Sequence, residues 1–455
     1  VEELSVVAPS GLSGTLIYGY LLLGFVIVGF LVMRSRTAYR FELMVVAYFL
    51  FTGDYSDLLT FKIPGLSFFA IQPERFVFFT CLFLWIRKFL SGSFRRTPGE
   101  SPQLPLFLIV LVLFSLSGIL SQATHFSKIG ISEVLVQTVY FSNFVLVLLT
   151  MRFVVDTPFI EVIGRTVIIT SVLAAIICLI QLGVDHSFMR VGDFRQAFGS
   201  VLRSNGIFSS EYTNSYFLII AIYWTLYLLK NYRFKWLLVG LFIAGIFTSF
   251  HRMSWLILTL TLVFYFLWME RSSIEQALLV GLSGIAVLLI IFAFSYREIA
   301  NSSIVKDRLN DSIEGREGYW SMVANNIGDK PFFGFGDKNN DVYYRNMLRI
   351  TRDRDRATGY TGDIHNGYLQ SMFILGIPSF LLFAGFIISS IVYFWKLLRY
   401  HPFFTIPFLF CVLYGIANFT NNFSFDKPLA FIFAIQLGIG LGARHLEEYY
   451  PFDAR

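Results

Sequence analysis

Four side chains in this sequence could act together on one anionic substrate: Arg203 in "LRSNGIF", Arg252 in "SFHRMSW", Arg316 in "EGREGYW" and His365 in "GDIHNGYLQ". Arginine is the preferred partner for phosphate because its planar fork donates two parallel hydrogen bonds and it stays charged. Each charge-assisted hydrogen bond contributes about 1.5–3 kcal/mol, so three arginines could hold a lipid pyrophosphate and stabilise it as it departs. An unperturbed imidazole titrates near neutral pH, and Asp363 and Asn366 give His365 carboxylate and amide neighbours. No DxD-like carboxylate pair stands near these positions. The expected chemistry therefore needs no metal and no cofactor, with arginine in the place of a divalent cation.

Each residue also has a plainer reading. An arginine near a helix end commonly snorkels to lipid headgroups with no further role. Arg252 departs from that pattern, because its connection between two apolar runs leaves no room for a solvated turn. His251 beside it reads equally well as an interface residue. Other motifs fail: "GDKPFFGFG" has the glycines of a turn but not the strand and GK[ST] of a phosphate loop, and GxSxG, HExxH and paired-cysteine patterns do not occur. A proton-coupled transporter places Asp, Glu or His in mid-span, and the apolar runs here are almost free of them.

The elements that must position these residues follow from composition. Of 455 residues, 56% are hydrophobic and 15% charged, with a mean hydropathy of +0.65. A soluble domain carries roughly 25% charged residues, so the composition is that of an all-α polytopic membrane protein. A span needs about 20 apolar residues. Thirteen candidates occur, near 13–33, 41–52, 75–93, 104–121, 132–152, 163–183, 213–229, 234–250, 253–269, 275–295, 367–395, 402–418 and 427–443, giving an expectation of about 12–14 membrane helices. The first lacks the basic n-region of a cleavable signal peptide, and the initial Val leaves room for an upstream span. Cys81, Cys178 and Cys411 fall inside apolar runs and are expected to behave as small hydrophobes. The net charge of +6 is scattered among loops, which argues against nucleic acid as a partner.

Short cytoplasmic loops collect Lys and Arg. With residue 1 outside, the inner segments hold 17 of the 36 Lys and Arg, and the short outer segments hold 8. The long 296–365 segment carries 11, balanced by 11 Asp and Glu, and long loops translocate largely regardless of charge. The chain thus divides into N-terminal spans (1–183), a first outer loop (184–212), central spans (213–295), a large outer loop (296–365), and C-terminal spans with a short inner tail (366–455). Within the large loop, Tyr319, Trp320, Met322, Val323 and Ile327 fall at helical spacing, so the loop is expected to be partly helical. The three arginines and His365 then share the outer face.

"GREGYWSMVANNIGDKPFFGFG" followed by "HNGYLQSMFILGIPSFLLF" closely resembles the signature of the O-antigen ligase and O-antigen polymerase superfamily. "RSNGIFSSEYTNSY" is similar to that family's Arg-x-x-Gly-x-Phe segment with a downstream Asn, here Asn214, and "SFHRMSW" to its Ser-Arg pair at a span boundary. Two departures stand out: His251 precedes Arg252 where the family has Ser, and Glu211-Tyr212 replaces a short apolar or Pro residue. The resemblance runs from about 200 to 385. It implies an architecture like the GT-C membrane glycosyltransferases in a bacterial inner membrane, with the site facing the periplasm. It also implies that Arg203, Arg252 and Arg316 bind the pyrophosphate of an undecaprenyl-pyrophosphate-linked glycan. His365 is then the base on an acceptor sugar hydroxyl, with Asn366, Asn214, Glu211, Trp320 and Asp363 in support. The acceptor it implies is a lipid-linked repeat unit for a polymerase, or lipid A-core for a ligase. A chain-length regulator is a possible further partner. A flippase of the same lipid-linked sugars is the competing class.

Overall fold

The structure is a computed structural model that describes residues 12–59, 61–62, 70–71, 73–91, 105–125, 145, 147–151, 154–191, 194, 196–198, 201–268, 320–321, 323–336, 366–420 and 427–447. These residues make an all-α polytopic membrane protein. Its only strands, among the described residues, are two short antiparallel ribbons, Phe61–Lys62 with Ala70–Ile71 and Gln196–Phe198 with Val201–Leu202. The helices are α1 (Leu12–Arg34), α2 (Arg40–Thr52), α3 (Pro73–Leu90), α4 (Leu106–Thr124), α5 (Thr157–Gly183), α6 (Glu211–Leu228), α7 (Lys235–Thr248) and α8 (Arg252–Trp268). After the large loop come α9 (Gly367–Leu375), α10 (Ile377–Leu397), α11 (Thr405–Ala417) and α12 (Lys427–Glu447). Of these, α1, α4, α5 and α10 are long and apolar enough to cross a membrane. Most of the expected 132–152 span, and all of 275–295, lie outside the described residues.

Burial sorts the helices into centre and rim. Leu22, Phe25, Phe30 and Met33 of α1 and Phe83, Phe89 and Leu90 of α3 are exposed, which lipid tolerates. In contrast, α6 is buried on every face from Thr213 to Leu226, as expected of a helix apolar all round. Gly164 of α5 lets the Trp224 ring of α6 approach closely, and Trp224 Nε1 donates to Gln436 Oε1 of α12 at 3.0 Å. The short expected span at 41–52 is α2. At 1.5 Å per residue its 13 residues reach only about 20 Å, short of a hydrocarbon core of about 30 Å. Its buried Leu43, Val46, Ala47, Leu50 and Phe51 show that α2 is packed against protein along much of its length and at its C-terminal end, while Phe41 at its start is exposed.

Consecutive helix ends fall into two groups. At one end, Asp156 caps α5 by accepting from Phe159 N and takes the Thr37 hydroxyl at 2.8 Å, while Arg87 lies 3.8 Å from Glu42. This is the end the charge count assigns to the inside. At the opposite end the 3-10 turn Gly53–Leu59, residues 203–210 and the α7–α8 turn meet, and the start of α9 joins the end of α11, where Gly367 N donates to Asn418 O.

The apolar run at 367–395, expected as a single span, is two helices. It breaks at Gly376, whose φ of +93° L side chains rarely adopt, and where a Cβ would stand 2.3 Å from the Phe332 carbonyl oxygen. The break frees backbone groups that the large loop satisfies: Phe335 N donates to Phe373 O at 2.9 Å, Gly336 N to Ile374 O at 3.0 Å, and Ile377 N to Pro331 O at 2.8 Å. The Ser121 hydroxyl of α4 donates to Phe333 O. The glycine turn of "PFFGFG" is therefore a splice that covers a helix break inside the bundle.

Candidate active site

The outer end of α5 organises the first loop. The Gln181 amide uses all of its reach: Oε1 accepts from Asn205 N and Gly206 N at 3.0 Å each, and Nε2 donates to Phe188 O and Gly206 O. Ser204 N donates to Thr248 O at the end of α7, and the Ser204 hydroxyl donates to Cys178 O. Asp54, on the 3-10 turn after α2, accepts from both the backbone N and the hydroxyl of Ser209. Burial raises the Asp54 pKa, and the two Ser209 hydrogen bonds oppose that rise. Three separate helices thus pin residues 203–209.

Gly206 is the close-approach point of that segment. Its φ is +59°, and a Cβ there would stand 2.4 Å from Asn214 Oδ1. Asn214 is fully buried and donates to Cys178 Sγ at 3.1 Å. Asn214 thus packs closely against the Gly206 backbone.

Arg203 emerges from this scaffold. Its Nη1 donates to Glu211 Oε1 at 2.9 Å; the Arg203 side chain is 31% exposed and that of Glu211 only 6%. The Arg203 Nε is buried with no hydrogen-bond partner among the described residues, and a buried donor left unmade costs about 1–3 kcal/mol. Its backbone carbonyl accepts from Arg190 Nη2 at 2.7 Å. Arg190 in turn donates through Nε to His186 O at 2.8 Å and lies over the Phe194 ring. Burial lowers the Arg190 pKa, with Cys178 and Glu211 opposing.

Arg252 is exposed at the first position of α8, with no hydrogen bond or ion pair to another described residue. A cation at a helix N-terminus sits at the wrong end of the macrodipole, so this placement is unfavourable until an anion arrives. The turn before it is Ser249–Phe250–His251, with Phe250 at φ +51°. His251 Nδ1 is 2.7 Å from Ser254 Oγ, and its ring packs edge-on against Tyr216. His251 is thus a packed turn residue. The Ser204–Thr248 hydrogen bond brings the Arg203 segment to the α7–α8 turn that carries Arg252.

Asn366 is the N-cap of α9: its Oδ1 accepts from Tyr368 N and Leu369 N at 3.0 Å each. Trp320 is 39% exposed at the start of a helical segment, followed by Val323, which packs with Phe335 and Phe373. The segments next to Arg316 and His365 are therefore knitted together. Arg316, His365 and Asp363 themselves lie outside the described residues. Among the described residues, no group of three or more His, Cys, Asp or Glu gathers as a metal site.

Asp54, Gln181 and Arg190 carry the site's support and were not singled out from sequence. Asp54 had a signal, since it directly follows the shortest apolar run. Gln181 and Arg190 had none, because their partners are backbone groups in a loop.

The fold defines a multi-pass helical membrane protein with an arginine-bearing polar cluster at one end of its helix bundle. Residues 236–384 match the family model described as O-antigen ligase, a span that starts in α7, contains Arg252, Arg316 and His365, and ends in α10. The match covers about a third of the chain and supports a relation to the O-antigen ligase and polymerase superfamily, a family of glycosyltransferase type. Arg203 and its supporting loop lie upstream of the matched residues. A comparison with curated proteins found no match.

Proposed function

We propose that this chain is an inner-membrane glycosyltransferase that uses undecaprenyl-pyrophosphate-linked glycans at the periplasmic face and polymerises O-antigen repeat units, releasing undecaprenyl pyrophosphate. The donor enters laterally between helices, and its pyrophosphate rests on Arg203, Arg252 and Arg316. The acceptor is a second lipid-linked repeat unit, reached from water along the large outer loop. His365 removes the acceptor hydroxyl proton as the oxygen attacks the anomeric carbon. The carbon–oxygen bond to pyrophosphate breaks as the glycosidic bond forms, with inversion, because no carboxylate stands out as a covalent nucleophile.

The observation that carries this reading is the state of Arg203. Glu211 and Arg190 hold it in place, yet its side chain stays 31% exposed, so part of the guanidinium is left open to an anionic oxygen. Preorganised donors of this kind are usually the largest catalytic term. Transfer of finished polymer to lipid A-core is the second reading, favoured by the ligase description of the matching family model.

A lipopolysaccharide gel from a strain lacking the protein tests both readings. Loss of a polymerase leaves core plus one repeat; loss of a ligase leaves bare core. Purified protein in detergent with donor and acceptor tests the flippase class, because a flippase forms no glycosidic bond.

A further inference from the structure

We infer that Arg190 is a positioning residue that works through Arg203, holding its backbone so that the Arg203 guanidinium can take a diphosphate oxygen. The inference rests on the reading of Arg203 as a pyrophosphate ligand. Arg190 is itself only 8% exposed, and burying a guanidinium is costly unless its donors are used. Two of them are spent on main-chain carbonyls seventeen residues apart, His186 O and Arg203 O. That bridge ties residue 186 to residue 203, and its second anchor is the residue whose guanidinium is partly exposed. Around it, Tyr55 donates to Met189 O and Asn205 Nδ2 donates to Val191 O, so both sides of Arg190 are fixed to the bundle.

Glu211 completes the device. It accepts from Arg203 Nη1, which stops the guanidinium from rotating, and its charge also faces Arg190. With backbone and Nη1 both fixed, the exposed part of the Arg203 guanidinium is left for a ligand. A lysine at 190 keeps the charge but has one ammonium in place of a planar fork, so it cannot span both carbonyls in the same geometry.

The test is a double-mutant cycle on the full chain in detergent, read by calorimetric titration with inorganic pyrophosphate. The expected result is that Arg190→Lys weakens binding several-fold and Arg203→Gln weakens it about tenfold or more. The Arg190→Lys/Arg203→Gln protein then binds no more weakly than Arg203→Gln alone, because a residue acting through Arg203 has nothing left to act on. Arg190→Gln serves as a second variant in the same cycle. A purely structural role lowers the unfolding temperature in both backgrounds and adds its full affinity loss in each. Full additivity, wild-type affinity in Arg190→Lys, or absence of pyrophosphate binding by the unsubstituted protein each overturns the inference. A cycle with the expected coupling in a protein that makes no glycosidic bond leaves the positioning role standing and removes the proposed function.

Discussion

The Arg203 guanidinium donates to Glu211 Oε1 at 2.9 Å, but the two partners are unequally buried, at 31% and 6% exposure. Removing either one therefore has a different cost. Without Glu211, Arg203 can regain water; without Arg203, a carboxylate stays buried and unpaired. Breaking a fully buried pair costs about 3–5 kcal/mol, and the exposure of Arg203 puts this one near or below the lower end. We predict that Arg203→Ala lowers the unfolding temperature in detergent more than Glu211→Ala. Adding Glu211→Gln to Arg203→Ala should restore stability without restoring transfer, since the neutral amide no longer needs a cation. Equal melting of the two single variants would remove this account of the pair.

The buried Asp54 gives a pH prediction with a definite sign. Burial raises its folded pKa above the unfolded value, with the Ser209 hydrogen bonds opposing. A group with a raised folded pKa binds its proton more tightly when folded. Its contribution to stability is thus fully present below the unfolded pKa, near 3.8, and is lost as pH rises through the folded pKa. Asp54→Asn keeps an oxygen for Ser209 and removes the charge. Its unfolding temperature should fall less than that of the unsubstituted protein across the acidic range from about pH 4 upward. Parallel pH profiles for the two proteins would show that Asp54 is not the titrating group.

The splice between "PFFGFG" and the break in the 367–397 run depends on backbone that only glycine fits. Gly376→Ala must place a Cβ 2.3 Å from Phe332 O at a φ of +93°, so either the turn or the helix break shifts. A residue forced into such a conformation costs about 1–3 kcal/mol, and the steric contact adds to it. We expect Gly376→Ala to destabilise the protein and to increase proteolytic cleavage of the large loop, because Ile377 N and Pro331 O part. Gly240→Ala has open space at its Cβ and serves as the neutral comparison. Unchanged proteolysis of Gly376→Ala would mean that the turn holds without the break.

How much of this was legible in the sequence follows a physical line. Apolar length alone found the helices, including the short α2, because runs such as "FELMVVAYFLF" have no other use in a membrane. The break at Gly376 was missed, since "FILGIPSF" stays apolar throughout and hydropathy carries no trace of φ. Arg203 and Arg252 stood out in the sequence because a charge beside an apolar run is expensive and needs a reason. Arg190 and Gln181 were not, because what they bind is main chain, and a carbonyl has no letter in the sequence. Glu211 stood out as a departure from the family pattern and as a supporting residue, and its hydrogen-bond partner lies eight residues upstream.

The proposed division of labour between charge and base can be ranked. A positioned general base contributes about 10²–10⁴-fold, whereas donors aimed at the departing charge usually supply the larger share. If Arg316 stabilises the leaving pyrophosphate and His365 only collects a proton, then Arg316→Ala is expected to cost at least as much transfer as His365→Ala. Single-turnover rates with saturating lipid-linked donor separate the two, because binding loss is masked and only the chemical step is read. Raising the pH should partly rescue His365→Ala, as hydroxide takes over from imidazole, and should leave Arg316→Ala unrescued. Near-normal turnover in His365→Ala at neutral pH would take the base role away from that residue and leave acceptor activation to another group.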